Sequence, residues 1–327
     1  MNRIRTAVLT LLLVGLSAPS WAGFQDLGVG ARAMGMGRAF VAVSDDPSAL
    51  FWNAAGITQI KNLEGLAMYA PMYTGLNAKV LQDNGFLKDD RLALMYLAVV
   101  FPNRYLPIGL DFHMFSSFIY DEYRVSLGFA KYLGVLDGTG IGFSGKIKLL
   151  GFGISSNQYV AANPFFTANG TSKTGVTADL GMLFKASDRL SFGASWENVI
   201  PSNMALGTTK ENVPFLLRLG TALKWPLNAY DDFRSAVDVT IRNDRVSAQR
   251  QIGFSAGAEI TLYQEALAFR TGFNVSPRFD NDGFQFDELT FGAGYKRRHI
   301  RLDYTIVMAR NLKETLGTHM FSFGFSR

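Results

Sequence analysis

Apolar and polar residues alternate with a period of two from about residue 61 to the end of the chain. In the segment 251–262, one face carries Ile252, Phe254, Ala256, Ala258, Ile260 and Leu262. The other face of this segment is made of glutamine, glycine, serine, glutamate and threonine. Because successive side chains of a strand point to opposite faces of a sheet, the pattern predicts strands with one face in an apolar medium. We therefore predict an all-β chain.

Both a soluble β-sandwich and a membrane-spanning β-barrel show such alternation. The polar faces here are rich in glycine and serine as well as charge, which suits a crowded barrel lumen. Aromatic residues lie near the strand ends, as expected at the two membrane interfaces. Examples are Tyr123, Trp196, Trp225 and Tyr295. No stretch after the first 22 residues resembles a transmembrane helix, so a helical membrane protein is not predicted. The glycine, serine and aromatic patterns favour a transmembrane barrel over a sandwich.

Fourteen alternating segments can be counted. They lie near 62–72, 91–101, 106–116, 123–132, 139–152, 175–185, 189–198, 214–225, 232–242, 251–262, 265–275, 286–296, 299–309 and 317–326. Long and short connections alternate between them, which is the pattern of an outer-membrane barrel with periplasmic termini. The last segment, with alternating Phe321, Phe323 and Phe325, is typical of the final strand of such barrels. We predict a 14-stranded antiparallel transmembrane β-barrel over residues 61–327.

The first 22 residues have the pattern of a secretory signal peptide. Arg3 and Arg5 form a basic start, 7–16 is an apolar run, and Ser20-Trp21-Ala22 has the small-x-small form of a cleavage site. The apolar run is too short to cross a hydrocarbon core about 30 Å thick as a helix. We expect cleavage after residue 22 and export to the bacterial outer membrane.

Composition and motifs exclude several other functions. The 327-residue chain has no cysteine, which excludes disulfides and cysteine-ligated zinc, and its net charge of +5 is scattered rather than clustered. Three histidines lie far apart, and no serine, histidine and acid form a recognisable catalytic motif. The run 28–33 imitates a dinucleotide fingerprint, but no strand precedes it. We therefore predict no metal, no cofactor, no enzyme activity and no nucleic-acid partner.

Residues 23–60 do not alternate and are rich in glycine. Asp46-Pro47 resembles an N-cap followed by proline at the first helical position, which predicts a short helix from Pro47 to about Asn53 that stops near Gly56. Apolar residues in the segment indicate that it is packed rather than exposed. A packed segment of this kind before a barrel is predicted to fill the lumen as a hatch.

The same segment carries a family resemblance. The run Gly30-Ala31-Arg32-Ala33-Met34-Gly35-Met36-Gly37, then Ala39-Phe40, then Asp45-Asp46-Pro47-Ser48-Ala49-Leu50-Phe51-Trp52-Asn53-Ala54-Ala55-Gly56 resembles the N-terminal signature of the FadL-like superfamily. It is most similar to the PorV/PorQ branch, from which it departs at Arg38 and Ala54. The matching hatch-motif residues are Gly30, Arg32, Gly35, Gly37, Asp45, Asp46, Trp52, Asn53 and Gly56.

The resemblance implies one of two functions, because fold alone does not fix function. FadL-type barrels take up long-chain fatty acids or aromatic hydrocarbons, so the expected partners are outer-membrane lipids and a hydrophobic small molecule. PorV-type barrels act in type IX secretion, where the partners are secreted cargo or secretion-system proteins. We expect uptake, with secretion as the alternative. The secretion alternative would place function on the long connections 153–174 and 199–213.

Candidate ligand-binding residues are the apolar residues expected between hatch and wall. They are Met34, Met36, Phe40, Phe51, Trp52 and Phe115, with Leu183 and Leu216 on otherwise polar strand faces. The alternative interpretation is that they form the core of the plug. Inward arginines could bind a carboxylate head group or could pair with inward acids. These arginines are Arg124, Arg218, Arg234, Arg270 and Arg301, and the acids are Asp111, Asp179, Asp238, Glu259 and Asp303.

Overall fold

A computed structural model gives the architecture of the chain. The structure describes residues 20–21, 23–24, 26–75, 79–81, 87–89, 92–136, 139–208, 210–243, 250–275 and 286–327. The signal-peptide prediction over 1–22 lies almost entirely outside the described residues. Parts of the predicted connections 73–90, 243–250 and 276–285 lie outside them as well.

Fourteen antiparallel strands form a closed barrel. They are β1 (Glu64–Pro71), β2 (Ala93–Phe101), β3 (Ile108–Ser116), β4 (Tyr120–Leu136), β5 (Thr139–Ile154), β6 (Ser172–Lys185), β7 (Leu190–Glu197), β8 (Leu216–Pro226), β9 (Asp232–Asn243), β10 (Arg250–Leu262), β11 (Leu267–Val275), β12 (Phe286–Arg297), β13 (Ile300–Ala309) and β14 (Thr318–Ser326). The last strand pairs with the first from Ser326↔Glu64 to Phe321↔Tyr69, which closes the barrel.

All fourteen predicted strands are confirmed, with ends displaced by a few residues. The wall has a short-turn end, with connections such as 186–189 and 298–299, and a long-loop end, with connections such as 155–171 and 198–215. One predicted long-loop connection, 117–122, is reduced to 117–119 because β4 begins at Tyr120. The alternating apolar face points away from the lumen: Phe321, Phe323 and Phe325 are all exposed on the outside of the wall.

The hatch contains more helix than the sequence pattern indicated. Helix α1 spans Ala31–Gly35 and was not predicted. Helix α2 spans Ala49–Trp52 and begins two residues later than predicted, and a 3₁₀ helix, Ala54–Gln59, continues through Gly56 instead of stopping there. Ser48 rather than Asp46 occupies the N-cap position of α2, and Oδ1 of Asp46 accepts hydrogen bonds from the backbone N–H and the hydroxyl of Ser48.

Outside the wall and hatch, the described elements are short. Helices α3 (Gln158–Ala162) and α4 (Pro164–Asn169) lie in the connection between β5 and β6. A 3₁₀ turn spans Arg310–Leu312. Two small strand pairs join Ser20–Trp21 to Glu211–Asn212 and Lys79–Leu81 to Leu87–Asp89. Within the described part of the chain, no helix combines the length and apolar character needed to cross a membrane.

The hatch lies inside the barrel, and glycines of the wall make room for it. A Cβ atom at any of these positions would lie against hatch atoms: Gly109, Gly128, Gly142, Gly181, Gly193, Gly257, Gly272 and Gly292. At Gly257 the obstacle is the backbone carbonyl of Met36, and at Gly272 it is the backbone of Gly37. The glycine content of the polar strand faces is therefore explained by close backbone approach, since any larger residue would push the hatch away.

Candidate functional site

The candidate ligand-binding residues of the hatch form one apolar cluster in the lumen. Met34, Met36, Phe40, Phe51 and Trp52 are all buried in this cluster, and the wall residue Phe115 packs against it. Leu183 and Leu216 are also buried. The indole Nε1 of Trp52 donates a hydrogen bond of 2.9 Å to the carbonyl of Val29, which fixes the ring within the hatch. The structure thus brings the hatch candidates together as a packed core inside the barrel.

Phe51 occupies the centre of an aromatic and cationic cluster. Its ring centroid lies 5.1 Å from that of Trp52 and 6.5 Å from that of Tyr96, both in edge-to-face arrangements. The guanidinium of Arg124 lies 5.1 Å from the ring centroid and that of Arg218 lies 5.7 Å from it. Such cation–π contacts strengthen in desolvated surroundings, so they help to hold the hatch against the wall.

Arg32 anchors the hatch through a buried charge network. Its Nη1 pairs with Asp45 of the hatch and lies 3.3 Å from Oδ2 of Asp46. On the wall side, Nε and Nη2 donate to the two carboxylate oxygens of Glu259 at 2.8 and 2.7 Å. The bidentate pair is the strongest form of this contact and orients hatch and wall relative to each other. Arg270 also donates to Glu259, at 2.6 Å.

The electrostatics of this network favour the charged form of Asp45. Burial alone would raise the pKa of its carboxyl, but Arg234 and Arg32 hold that pKa well below its usual range. A depressed pKa contributes stability that is present above the unfolded value of about 3.9 and is lost as the pH falls through the folded value. The contact between Arg32 and Asp45 is therefore expected to persist at neutral and mildly acidic pH.

A second charge network joins the hatch to the strands β5–β8 of the wall. Arg218 pairs with Glu197 of the wall and donates from Nη2 to Oδ2 of Asp26 at 2.7 Å. Lys148 lies 2.6 Å from Asp179 and 3.6 Å from Glu197. Burial would raise the pKa of Asp26, but Arg218 and Arg38 hold it well below its usual range. Asp26 thus ties the start of the hatch to the wall.

The remaining hatch-motif residues shape the backbone. Asn53 donates from Nδ2 to the carbonyls of Val41 and Met182, both at 2.9 Å, and so links hatch to wall. Gly37 has φ +62°, a conformation that favours glycine, and lies against the backbone of β11. Gly56 packs on the backbone of Ser44. Gly30 precedes α1 and Gly35 ends it; a Cβ at Gly30 would meet Ser48 of the hatch, and a Cβ at Gly35 would meet Thr305 of the wall.

The predicted pairing of inward arginines with inward acids is confirmed for three of the five arginines. Arg234 and Arg270 contact Glu259, and Arg301 contacts Asp303. Three of the predicted acids have other partners: Asp179 binds lysines, Asp238 accepts from the backbone N–H groups of Phe40 and Val41, and Asp111 accepts from Ser126. The sequence pattern did not predict Asp26 and Glu197 as partners of Arg218. Asp26 lies outside the recognised motif.

A cavity of about 870 Å³ lies at the short-turn end. It is lined by the charged network around Arg32, by turn residues such as Arg298 and by Lys61 and Lys185. This cavity was not predictable from the sequence pattern, since its lining comes from the ends of many separate strands. Its charged lining makes it a polar vestibule below the packed hatch rather than a site for an apolar molecule.

A separate apolar cluster lies near the long-loop end. We call it the outer apolar cluster: Phe24, Leu150, Phe152, Met204 and Val213 are buried in it, and Tyr120, Ile154 and Leu206 pack against it. Phe24 comes from the start of the hatch and Met204 from the connection 198–215. A molecule that enters the lumen from the long-loop end therefore meets apolar side chains before it reaches the hatch core.

The described residues contain no group of three or more metal-ligating side chains placed to hold a metal ion. The charged residues of the lumen are instead engaged in ion pairs and hydrogen bonds that hold the hatch.

No family model matches the sequence, and no curated protein matches it. Solved structures do match its fold. The CymD monoaromatic hydrocarbon channel superposes with a TM-score of 0.60 at 12% identity, covering 93% of this chain and 99% of that one. The toluene transporter TodX of P. putida gives 0.59 at 12%, covering 92% and 99%. A FadL homologue of Pseudomonas aeruginosa gives 0.51 at 14%, covering 93% and 97%. The fold is that of FadL-family channels; similarity to the PorV/PorQ branch is not confirmed.

Proposed function

We propose that this protein is a channel of the bacterial outer membrane through which hydrophobic small molecules, such as long-chain fatty acids or aromatic hydrocarbons, enter the cell. The observation that carries the proposal is the apolar cluster that the hatch forms with the inward residues of β1 and β2 inside the lumen. The fold is shared with channels described as monoaromatic hydrocarbon and toluene transporters. These neighbours support transport rather than catalysis.

The packed apolar residues of the hatch, here called the hatch core, supply apolar surface along the route of a hydrophobic molecule through the barrel. A hydrophobic molecule gains about 25 cal/mol for each Å² of surface that it removes from water, so it partitions toward the outer apolar cluster and then the hatch core. Passage requires the hatch to move, because the candidate residues are packed against one another. The charge networks of Arg32 and Arg218 set how firmly the hatch resists that movement.

Replacing Trp52 by alanine tests this path. Trp52 is 1% exposed, and its loss leaves a cavity in the hatch core that is expected to cost about 3–5 kcal/mol of stability. We expect cells carrying Trp52→Ala to accumulate labelled toluene severalfold faster than wild-type cells. Trp225→Ala is the matched control, because Trp225 lies on the outside of the wall and is 47% exposed. Equal rates for Trp52→Ala and wild type would contradict the proposed path.

The secretion alternative remains a second proposal, supported by the long-loop end. Helix α4 has no buried residue, and its Phe165 is 49% exposed beside Phe166. Exposed aromatic residues of this kind can anchor a protein partner. If the alternative holds, Phe165→Ser should leave secreted cargo in the periplasm while toluene uptake stays at the wild-type rate. Normal surface display of cargo in a strain that lacks the protein would argue against secretion.

We also propose that the signal peptide is removed after Ala22. The new α-ammonium would belong to Gly23, where a Cβ would lie 2.5 Å from Oε1 of Glu122, and the N–H of Phe24 donates to the same oxygen at 2.8 Å. We expect the intact mass of the mature protein to match residues 23–327, and the α-amine to react faster with an amine reagent in Glu122→Gln. A mass that includes residues 1–22 would refute this proposal.

A further inference from the structure

The short turn between β12 and β13 carries positive charge that the fold does not use. The residues that flank it, Lys296 and Arg301, each pair with a carboxylate. Arg297 and Arg298 lie between them, are exposed, and form no ion pair within the described part of the chain. Contacts that stabilise the barrel therefore account for the two flanking cations and leave the two arginines unexplained.

The backbone at Arg298 is strained. Arg297 pairs with Ile300, which leaves Arg298 and His299 as a two-residue turn. Arg298 has φ +52°, a left-handed conformation that favours glycine. Hairpin turns of this length usually place glycine, asparagine or aspartate at such positions. An arginine here makes the turn harder to form, and residues held in strained conformations cluster at functional sites.

A third arginine is held beside this turn. The N–H of Ser326 donates to the carbonyl of His299 at 2.9 Å, and Nδ1 of His299 lies 2.8 Å from the carbonyl oxygen of Ser326. The next residue, Arg327, donates its N–H to the carbonyl of Leu63 at 2.9 Å. Its side chain is exposed and has no ion pair among the described residues. The backbone therefore fixes Arg327 next to the turn before any ligand binds, which lowers the cost of binding.

Apolar, outward-facing surface adjoins the arginines. Arg297 follows Tyr295 by two residues and so lies on the same outer face of β12. The strand register aligns Arg297 with Ile300 on β13, and Ile300 with Phe325 on β14. Tyr295, Ile300 and Phe325 are all exposed on the outside of the wall. Arg297 thus lies at the edge of the apolar belt, at the level where aromatic girdles meet lipid head groups.

We propose that Arg297, Arg298 and Arg327 bind the phosphate of an anionic phospholipid in the membrane leaflet at the short-turn end. The acyl chains of that lipid lie on Ile300 and Phe325. A guanidinium matches a phosphate in a bidentate manner. Cations without a carboxylate partner favour a head group of net negative charge, because a zwitterionic head group brings a cation of its own. The site lies outside the lumen, so this inference goes beyond the uptake proposal and does not depend on which molecule the channel carries.

The test compares two phospholipids with the same acyl chains, palmitoyl-oleoyl phosphatidylglycerol and palmitoyl-oleoyl phosphatidylethanolamine. Each lipid is titrated into the delipidated full-length protein in detergent, and bound lipid is counted by native mass spectrometry. We expect the wild type to bind phosphatidylglycerol about tenfold more tightly. Arg297→Gln should weaken that binding about fivefold, which corresponds to about 1 kcal/mol for one basic residue beside an anionic lipid. The double variant Arg297→Gln, Arg298→Gln should weaken it about twentyfold.

A glycine at position 298 separates binding from folding. Arg298→Gly removes the cation and also relieves the left-handed strain, so the barrel should withstand heat at least as well as the wild type. Its affinity for phosphatidylglycerol should nevertheless fall about fivefold. Arg104→Gln is the matched control, because Arg104 is an exposed arginine in another short turn, 6.0 Å from the ring centroid of Tyr105. Its affinity should stay within about twofold of the wild type.

Each contrary outcome overturns a stated part of the inference. Equal phosphatidylglycerol affinity in the wild type and the double variant overturns the site itself. Equal wild-type affinity for the two lipids overturns the preference for an anionic head group. Displacement of phosphatidylglycerol by a tenfold excess of glycerol 3-phosphate overturns the lipid as occupant, because the apolar surface would then add nothing. A fivefold loss in Arg104→Gln overturns the assignment to this turn. The uptake proposal is tested separately, by toluene accumulation, and stands or falls without these results.

Discussion

Replacing Arg32 by methionine is expected to release the hatch and open the lumen. The substitution keeps much of the apolar stem but removes the bidentate bond to Glu259 and the contacts to Asp45 and Asp46. Breaking a buried ion pair by removing one partner costs about 3–5 kcal/mol, because the other charges stay buried. The guanidinium also lies 5.3 Å from the ring centroid of Phe40, so one more contact within the hatch is lost.

The measurement is single-channel conductance in a planar lipid bilayer. We expect the wild type to conduct little and Arg32→Met to show frequent open events at neutral pH. The matched control is Lys296→Met at the short-turn end, where the pair between Lys296 and Glu265 is 48% and 51% exposed. An exposed pair contributes about 0–1 kcal/mol, so this variant should conduct like the wild type. Closed channels in Arg32→Met would show that the charge network does not hold the hatch.

A leucine in place of Gly257 is expected to prevent normal docking of the hatch. The added Cβ would overlap the carbonyl oxygen, carbon and Cα of Met36, all of them backbone atoms that cannot rotate aside. Overpacking of a side chain against side chains costs about 1–3 kcal/mol, and a clash with backbone is harder to relieve. We expect most of the Gly257→Leu protein to lack the compact, heat-modifiable form and to be degraded.

Gly153→Leu is the control for that experiment. Gly153 also lies in a wall strand, but no atom lies within 4 Å of the Cβ that would be added there. Its expression and heat-modifiable migration should match the wild type. If Gly257→Leu folded as well as Gly153→Leu, the close approach of hatch and wall at β10 would not be a requirement of the fold.

The strands of the wall could be predicted from sequence because the alternation within each strand shows which residues face lipid and which face the lumen. Segments such as 251–262 alternate strictly, since lipid on one side and a crowded lumen on the other impose different demands on neighbouring residues. The helix α1 was missed because its five residues, Ala31–Gly35, are too few for a helical period to appear. Tertiary packing in the lumen, not local propensity, stabilises so short a helix.

The partners within the lumen could not be predicted because they depend on register. Arg32 was recognised in the motif, yet its partner Glu259 lies 227 residues away on β10. Charge alternation showed that inward arginines and acids would occur, but not that Arg218 would contact Asp26 while Arg124 would donate to His113. These contacts depend on where the strands and the hatch lie relative to one another in the barrel. The sequence of a single strand does not contain that information.

The hatch precedes the strands in sequence but is bound by strands from the far end of the chain. The backbone N–H of Ala31 donates to Ser322 of β14 at 2.9 Å, and Thr305 of β13 donates to the carbonyl of Ala31. Contacts of such high sequence separation form late, after most of the chain has been synthesised. The same strand β14 closes the wall against β1. Docking of the hatch and closure of the barrel therefore depend on one strand, so a defect in β14 is expected to impair both.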